Sequence, residues 1–307
     1  MSIQVIFLGT SGSVPTPKRS LPAILIKREN EQVMFDCGEN AQRQMIIAKT
    51  GFHKKMKVFI SHMHGDHILG LPGLLQTMAL LDRTRELDIY GPLGVKRFLE
   101  DLRETVQFVL TFPVNIHEII EPGTVCEEEE YFVNAVKSNH VIESFAYAFV
   151  EKPRPGRFFP KKAKALGLKE GPLWSELQKG RKVKLQDGRV VKPEDVMGPL
   201  RKGRKIVYTG DTRPFEGFAE FATDADLLIN DCTLGDDLAE RAEEDGHSTA
   251  SQAATNAKKA KAKKLVLTHI SARYDDTTPL LKQAKKIFKN TVVAEDFFRV
   301  ELPLPKE

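Results

Sequence analysis

Three histidines and an aspartate are packed into seven residues, SHMHGDH at 61–67, directly after the apolar stretch KVFIS at 57–61. The chain has 8 histidines in 307 residues, and chance would place this H-x-H-x-D-H pattern in such a composition with odds of roughly 3 in 10,000. Imidazoles crowded on one turn repel each other when protonated, whereas neutral imidazole is the commonest metal ligand. The pattern therefore predicts a β-strand that ends at a metal site. A cluster of surface or packed histidines is the less favoured interpretation.

The motif by itself cannot complete a site for two metal ions. His62 and His64 can point one way, while Asp66 and His67 reach a second position. Two tetrahedral ions need more than four ligands, so others are expected at the ends of other apolar strands. Three residues occupy such positions: His140, Asp211 and His269. A lone histidine at a strand end is more often structural, but these three together would complete one ligand set.

The order of the apolar segments predicts an α/β architecture. Short β-rich stretches come first, and strands alternating with helices follow. We expect the stretch at 126–136 to be an exposed strand paired with 145–150, and 291–302 to form one strand. This mixture of hairpins and α/β units fits two sheets covered by helices, a four-layer sandwich.

Charge is distributed unevenly along the chain. Residues 151–205 carry 17 Lys and Arg against 6 Asp and Glu, whereas the remainder carries 29 against 36. We interpret residues 153–202 as an inserted basic arm, a projecting hairpin or loop with one short helix near 173–179. Its partner should be anionic, although a merely solvated insertion is the alternative.

Other bulk features place the chain among globular intracellular enzymes. No apolar run approaches the ~20 residues that span a bilayer, and the first residues indicate a strand rather than a signal peptide. Three scattered cysteines, Cys37, Cys126 and Cys232, suit reduced thiols in the cytoplasm.

Several segments together resemble the ribonuclease Z family of the metallo-β-lactamase superfamily, over essentially the whole chain. They are FLGTSGSVPTP at 7–17, FDCGENAQRQM at 35–45, SHMHGDHILGLPGLL at 61–75, GPLWSELQKG at 171–180, YTGDTRP at 208–214, HSTASQAA at 247–254 and THISARY at 268–274. The metal motif alone marks only the superfamily, which includes lactamases, glyoxalases and lactonases. The HST, GPLW and ARY segments favour ribonuclease Z.

The resemblance implies a metallo-β-lactamase αβ/βα sandwich with two zinc ions. It implies one zinc on His62, His64 and His140, a second on Asp66, His67 and His269, and Asp211 bridging both. It further implies cleavage of precursor tRNA after the acceptor stem, leaving a 3′-hydroxyl on the tRNA and a 5′-phosphate on the trailer. A homodimer in which the arm of one chain clamps tRNA for the other is also implied.

Five residues are predicted to act in catalysis or to bind the substrate. His247 is interpreted as the donor of a proton to the departing 3′-oxygen, and Asp66 as the group that orients or deprotonates water. Ser248 is a candidate N-cap at a phosphate-binding helix N-terminus. Arg273 and Tyr274 are candidate phosphate contacts.

Two departures from the family pattern concern residues around the ligands. The chain has Gly38-Glu39-Asn40-Ala41 where Gly-Glu-Gly-Thr is common, and Asp231 two residues before Thr233 where the family tends to have Glu.

Two other functions remain open. One is a small-molecule hydrolase of the same superfamily, such as a lactonase, thioesterase or phosphodiesterase, and the other is an RNA-binding protein with a structural metal site. Structural zinc sites favour closed cysteine sets, which the chain lacks.

Overall fold

The structure is a computed structural model that describes residues 2–304. The strands in this range are β1 (Ile3–Gly9), β2 (Ser11–Gly12), β3 (Ala23–Arg28), β4 (Glu31–Phe35), β5 (Lys55–Phe59), β6 (Leu87–Gly91), β7 (Val114–Glu118), β8 (Gly123–Glu127), β9 (Tyr131–Lys137), β10 (Phe145–Glu151), β11 (Val183–Lys184), β12 (Val190–Val191), β13 (Lys205–Tyr208), β14 (Leu227–Asp231), β15 (Leu265–Thr268), β16 (Ile270–Ser271), β17 (Thr291–Val293) and β18 (Arg299–Leu302).

The α-helices in the same range are α1 (Ala41–Ile47), α2 (Gly65–Ile68), α3 (Gly70–Leu80), α4 (Val95–Val106), α5 (Pro160–Ala165), α6 (Pro172–Gln178), α7 (Pro193–Val196), α8 (Phe218–Phe221), α9 (Ala239–Asp245), α10 (Ala250–Lys259) and α11 (Thr278–Ile287). A short 3₁₀ helix at Asp236–Leu238 precedes α9. No helix of the described residues is both long and apolar enough to cross a membrane.

Two seven-stranded sheets form the main body. The first has the order β18-β1-β3-β4-β5-β6-β7, and the second has the order β17-β15-β14-β13-β10-β9-β8. Strands β4 to β7 are parallel to one another, and so are β13, β14, β15 and β17. Because the carboxyl ends of parallel strands share one edge, residues that follow several strands are brought together there.

A layer of aromatic side chains fills the space between the two sheets. Phe7, Phe35 and Phe59 of the first sheet pack with Tyr147 and Tyr208 of the second, and each is at most 2% exposed. The ring of Phe35 stacks on both tyrosine rings, with centroids 5.8 and 5.6 Å away. Burial of rings this large contributes much of the hydrophobic stabilisation of the fold.

Each sheet is covered on its outer face by helices. The apolar faces of α1, α3 and α4 close over the first sheet, and those of α8, α10 and α11 close over the second. The buried apolar residues of α10 are all alanines: Ala250, Ala253, Ala254 and Ala257. The predicted four-layer αβ/βα sandwich of the metallo-β-lactamase type is confirmed.

Two strand predictions were wrong in detail. The stretch 291–302 does not form one strand, because β17 belongs to the second sheet and β18 to the first. The chain turns between them at Phe297, whose φ of 68° lies in the left-handed region. The stretch 126–136 is split between β8 and β9, which form their own hairpin. Within β9, buried residues alternate with half-buried ones, so this strand is not exposed as expected. Strand β10 is nevertheless the other neighbour of β9 in the sheet.

The basic arm is a second compact unit, consisting mainly of Glu151–Arg204. It contains three short helices, α5 to α7, and the two-stranded sheet β11-β12. A small apolar core holds them together: Ala163, Leu168, Leu177, Val183, Val191 and Val196. Glu151 and Arg204, the first and last residues of Glu151–Arg204, form a bidentate ion pair with N–O distances of 2.6 and 2.7 Å. The expected helix near 173–179 is present as α6, but the arm contains two further short helices and its own apolar core rather than being a hairpin or loop.

Candidate metal centre

The ligand candidates lie on loops that follow strands of both sheets. His62 and His64 come just after β5, and α2 carries Asp66 and His67 in its single turn. The other three follow strands of the second sheet: His140 after β9, Asp211 after β13 and His269 after β15. The structure brings all seven predicted residues into two adjoining groups, within each of which the potential ligand atoms lie within 4.8 Å of one another.

The first group consists of three imidazoles. His64 Nδ1 lies 3.0 Å from His62 Nε2 and 3.2 Å from His140 Nε2. Burial lowers the pKa of all three imidazoles, that of His62 well below the ordinary value. Neutral rings whose nitrogens converge on one point present lone pairs to a cation, which is the state that a metal ligand requires.

The second group combines two imidazoles and two carboxylates. Asp211 Oδ2 lies 3.3 Å from His67 Nε2 and 3.2 Å from His269 Nε2, and Asp66 Oδ2 lies 3.3 Å from His269 Nε2. Burial alone would raise the pKa of Asp211, but His269 and His67 outweigh it and hold that pKa well below the ordinary value. Hydrogen bonds to His269 and His67 likewise outweigh burial and lower the pKa of Asp66.

Asp211 connects the two groups and carries a buried polar atom with no protein partner. Its Oδ2 is also 3.7 Å from His62 Nε2 of the first group. Its Oδ1 is buried and accepts no hydrogen bond from the described residues. An orphaned carboxylate oxygen in a buried position is costly unless something else satisfies it.

The spacing of the donors fits small divalent ions. Donor atoms held tetrahedrally at about 2.0–2.1 Å from an ion lie about 3.3 Å apart, and the closest contacts within the two groups span 3.0 to 3.3 Å. The set contains only nitrogen and oxygen donors, as in catalytic rather than structural zinc sites. The chain therefore has a histidine and aspartate cluster suited to divalent metal.

A buried carboxylate that the sequence interpretation missed holds two imidazoles of the cluster in place. Asp36 accepts a 2.7 Å hydrogen bond from His67 Nδ1, and bonds of 2.6 and 2.8 Å from the Ser61 backbone and hydroxyl. The Ser61 hydroxyl in turn lies 2.9 Å from His62 Nδ1, and the Tyr208 hydroxyl also donates to Asp36. Partners of this kind fix the ring orientation of metal-binding histidines.

Two further imidazoles of the cluster are anchored by other partners. His140 Nδ1 donates to the Gly246 carbonyl at 2.8 Å, and His269 Nδ1 lies 2.7 Å from the Thr233 hydroxyl. The backbone of His269 has a φ of 60° and that of Asp36 a φ of 55°. Non-glycine residues are rarely held in this region except where the surrounding structure demands it, often at functional sites. An aspartate that ends the apolar strand VMFD was the sequence signal that could have identified Asp36.

His247 and Asp231 form a third group beside the second one, but its bonding differs. The two Asp231 oxygens already accept from the Thr212, Thr233 and Ser248 backbone amides and from the Thr233 hydroxyl. Asp231 Oδ2 also lies 3.0 Å from His247 Nδ1. Burial alone would lower the pKa of His247, but Asp231 outweighs it and raises the pKa to about 9. Because the Asp231 carboxylate already accepts five hydrogen bonds, it orients His247 and has no room for a metal ion.

The helix after His247 is capped differently from the expectation. We predicted Ser248 as the N-cap, and this was wrong: Thr249 is the N-cap of α10, and its hydroxyl accepts from the Gln252 amide in a capping box. Ser248 is fully buried, and its hydroxyl donates to the Thr212 carbonyl at 2.6 Å. The side chain is therefore not presented to a substrate, because it already joins two loops of the site.

Arg273 and Tyr274 lie on the loop that follows His269. Arg273 is exposed, and its Nε donates to the Ser271 hydroxyl at 3.2 Å. The Tyr274 hydroxyl accepts from the Gly235 amide at 2.8 Å, so it supports the loop, and its ring lines an open cleft of about 850 Å³. That cleft also contains Lys18 and Arg43. Phosphate contact by Arg273 and Tyr274 stays a prediction.

Fold and site together define the class of protein. Two facing sheets whose strand ends carry a shared cluster of histidines and aspartates are those of a hydrolase with the metallo-β-lactamase fold. Residues 179–270 match the model of the beta-lactamase superfamily domain, and residues 3–153 match that of anti-Pycsar protein Apyc1.

Full-length relatives identify the family. The chain is 50% identical over 306 residues to ribonuclease Z of Methanosarcina acetivorans, covering 99% of this chain and 100% of the relative. It is 47% identical to ribonuclease Z of Methanosarcina mazei, with 98% of each chain covered. The crystal structure of the short form of human tRNase Z superposes with a TM-score of 0.74 at 30% identity, covering 98% of this chain and 100% of that one. The chain belongs to the ribonuclease Z family, a family of hydrolytic endoribonucleases, and the predicted resemblance is confirmed.

Proposed function

We propose that this chain uses two zinc ions to remove the 3′ trailer from precursor tRNA. The tRNA would end in a 3′-hydroxyl, and the trailer would begin with a 5′-phosphate. The observation that carries the proposal is the pair of donor groups joined by Asp211, within a chain similar over its whole length to proteins named ribonuclease Z.

We assign one ion to each donor group. His62, His64 and His140 would hold one, and Asp66, His67 and His269 the other. Asp211 would contribute to both, since its Oδ2 faces each group and its Oδ1 has no partner among the described residues. Two bound divalent ions supply a hydroxide nucleophile at neutral pH and charge stabilisation for the phosphate. Zinc is proposed because imidazole and carboxylate donors at this spacing suit it.

His247 is proposed as the proton donor to the departing 3′-oxygen. Its Nδ1 is held by Asp231, and its Nε2 has no hydrogen-bond partner among residues 2–304. This arrangement leaves one ring nitrogen for a substrate atom while the other is fixed by a carboxylate. A histidine oriented in this way can keep a proton available and deliver it in a defined direction.

Asp66 is proposed to orient the attacking water rather than to take its proton. Its Oδ2 accepts from the Ser13 backbone amide at 2.8 Å and faces His269 and His67. These partners stabilise the ionised carboxylate and lower its pKa. A carboxylate that holds its negative charge so firmly is a weak base but a good hydrogen-bond acceptor.

The arm is proposed as a binding site for the tRNA body outside the catalytic centre. Between residues 152 and 169 it has seven basic residues and no acidic one. Farther along, five acidic residues are interspersed with the cations. Some of these cations are paired within the arm: Arg181 and Lys179 with Glu176, and Arg189 with Asp187. The phosphate contacts should therefore come from the first half of the arm, around α5. Such contacts position a substrate without reading its sequence.

A homodimer in the cytoplasm is the proposed form of the protein. Helices α1 and α3 contact each other, and exposed apolar side chains lie at their carboxyl ends. They are Ile46, Ile47, Leu80 and the C-cap Leu81, which are 57%, 46%, 83% and 46% exposed. Exposed apolar residues of this kind favour association. Three buried free cysteines suit a reducing compartment. Sedimentation equilibrium should give twice the chain mass, and a monomer at all concentrations would contradict the dimer.

The direct test is incubation of the metal-loaded protein with a 3′-extended precursor tRNA. We expect one cut after the acceptor stem, a 5′-phosphate on the trailer and about two zinc ions per chain by elemental analysis. Failure to cut any precursor tRNA, together with rapid hydrolysis of a small ester or lactone, would favour the small-molecule hydrolase instead.

The arm is tested by replacing residues 156–198 with a short Gly-Ser linker. We expect the variant to keep its metals and to hydrolyse bis(p-nitrophenyl) phosphate, while binding of precursor tRNA collapses. Loss of both activities along with the metals would show that the segment belongs to the catalytic body.

A matched pair of charge variants refines this test. Lys161→Gln, Lys164→Gln and Lys169→Gln together should weaken tRNA binding. They should also flatten its salt dependence by about 0.7 to 0.9 in log–log slope for each phosphate that the arm no longer binds. The control removes the ion-paired cations by Lys179→Gln, Arg181→Gln and Arg189→Gln, which lowers the net charge equally. Equal effects of the two triple variants would refute the assignment of phosphate binding to the first half.

A further inference from the structure

A second concentration of basic residues lies within the catalytic body. Residues 247–294 contain nine lysines and one arginine against two aspartates. The rest of the body, outside both this stretch and residues 151–205, has 19 basic against 34 acidic residues, a net charge of −15. The stretch is therefore a concentrated positive region within an otherwise acidic body, and the metal centre does not account for it.

The lysines are brought together at one end of two packed helices. Helices α10 and α11 pack against each other, and the parallel strands β15 and β17 follow them. The segments that leave the two helices are hydrogen-bonded: the Leu265 amide donates to the Asn290 carbonyl at 3.0 Å, and Asn290 Nδ2 donates to the Lys263 carbonyl. Both helices thus end at the same edge. We call the exposed lysines of these helices and the segments after them the helix-end lysine cluster: Lys258, Lys259, Lys261, Lys263, Lys282, Lys285, Lys286 and Lys289.

Almost none of this charge is neutralised within the protein. Lys263 pairs with Asp226 at 2.6 Å. In the part of the chain from residue 2 to residue 304, the other seven lysines of the cluster have no carboxylate at ion-pair distance. The two aspartates of the stretch, Asp275 and Asp276, lie before the opposite end of α11. An unpaired group of like charges is electrostatically unfavourable in the free protein and attractive to a polyanion.

Helix stabilisation explains only part of the cluster. Cations in the last turn of a helix interact favourably with its dipole, by typically 0.3–1 kcal/mol each. That account covers Lys258 and Lys259 in α10 and Lys285 and Lys286 in α11. It does not cover Lys261 or Lys289, which lie beyond the helix ends, or Lys282 in the middle of α11.

Helix α10 joins the cluster to the catalytic centre. Its N-cap, Thr249, is two residues from His247, and the helix has 10 residues, which makes it about 15 Å long. A stacked RNA strand that advances about 3.4 Å per nucleotide would cover that length in about five nucleotides. The cluster is thus within reach of RNA that leaves the site, and the other part of the proposed substrate, the tRNA body, is assigned to the arm.

We propose that the helix-end lysine cluster binds the single-stranded 3′ trailer, through its phosphates, on the downstream side of the cut. This rests on the proposed function for the identity of the strand. The contacts are to the RNA backbone and independent of sequence, because lysines present only charge and hydrogen-bond donors. Trailers long enough to reach the cluster should bind more tightly than trailers of a few nucleotides.

The test compares four-residue charge variants of the holoenzyme. The test variant combines Lys258→Gln, Lys261→Gln, Lys285→Gln and Lys286→Gln. The control combines Arg85→Gln, Lys96→Gln, Arg97→Gln and Arg103→Gln, which removes the same charge from exposed residues in and near α4. A third variant with arginine at the four test positions retains the charge.

Binding is measured by fluorescence anisotropy with a 5′-phosphorylated, unstructured trailer RNA. Its length of about 16 nucleotides is the upper end of single-strand site sizes. For the test variant we expect weaker binding and a log–log salt slope flatter by about 3, near 0.7 for each phosphate bound on a single strand. The control and arginine variants should bind like the wild type. Equal salt slopes in the test and control variants would overturn the proposal.

Cleavage supplies the second readout. We expect kcat/KM of the wild type to rise with trailer length from about 4 to about 16 nucleotides, and the rise to disappear in the test variant alone. Activity on the shortest trailer should be equal in all variants. Loss of trailer binding with the length dependence intact would overturn the assignment to the trailer. If the wild type does not cut precursor tRNA at all, the proposed function fails, while the anisotropy result still decides whether the cluster binds RNA.

Discussion

The substitution Asp36→Asn isolates the contribution of a carboxylate that belongs to neither donor group. In the wild type, Asp36 Oδ2 accepts from the Ser61 hydroxyl, His67 Nδ1 and the Tyr208 hydroxyl, and Oδ1 accepts from the Ser61 amide. An amide of the same shape retains the most bonds with its oxygen at the Oδ2 position. Its NH₂ group then faces the Ser61 N–H, so two hydrogen-bond donors face each other and neither has an acceptor. Position 36 is 0% exposed, so water does not replace the lost acceptor.

The expected magnitudes follow from this geometry. An unsatisfied buried donor costs about 1–3 kcal/mol of folding stability. For a protein of this size that lowers the melting temperature by a few degrees. Loss of the negative charge beside His67 Nδ1 also makes the imidazole a weaker metal ligand. Losing a partner of this kind typically lowers metal affinity by about 10–100-fold.

The assay is a competition titration with a chelator, alongside thermal melting of the metal-free protein. Asp296→Asn serves as the matched control. Asp296 also accepts several hydrogen bonds, from Thr10, Ser20 and Gln44, but contacts no ligand histidine. We expect both variants to lose stability and only Asp36→Asn to lose metal affinity. Wild-type metal affinity in a destabilised Asp36→Asn protein would refute the orientation argument.

Three further substitutions test the centre itself. Asp211→Ala should lose both ions and all activity together, because one carboxylate faces both donor groups; retention of one full equivalent by elemental analysis would contradict the bridging role. His247→Ala should keep its metal content while the single-turnover rate falls by about 10²–10⁴-fold, and loss of metal would instead make it a ligand. Gly12→Ala places a methyl group 2.6 Å from His269 Nδ1, so metal affinity should fall at the second group, and an unchanged chelator titration would disprove the clash.

Much of the fold and all seven members of the histidine and aspartate cluster could be predicted from the sequence. Apolar strands are recognisable from a few neighbouring residues, and a ligand at the end of such a strand is set by chain position. His140, Asp211 and His269 were identified because parallel strands bring their carboxyl ends to one edge. The same logic predicted the four-layer sandwich, since each apolar face must be covered.

The partners of those ligands could not be read in this way. Asp36 lies 31 residues from His67, and the two meet only across neighbouring strands. The position of Asp231 behind His247 depends on a loop that also carries the true cap, Thr249. Local sequence could not distinguish Ser248 from Thr249, because either hydroxyl can cap a helix and the choice is made by which one Thr212 engages.

The sequence alone identified the histidines and aspartates that meet in the candidate metal centre, because they are recognisable side chains and strand ends fix where they lie. Only the tertiary structure decided where the chain changes sheets between β17 and β18, and that the arm folds round its own small core. It also revealed that distant lysines converge at the ends of α10 and α11. These features depend on packing between segments far apart in the chain, and apolar periodicity along one segment contains no information about its partner.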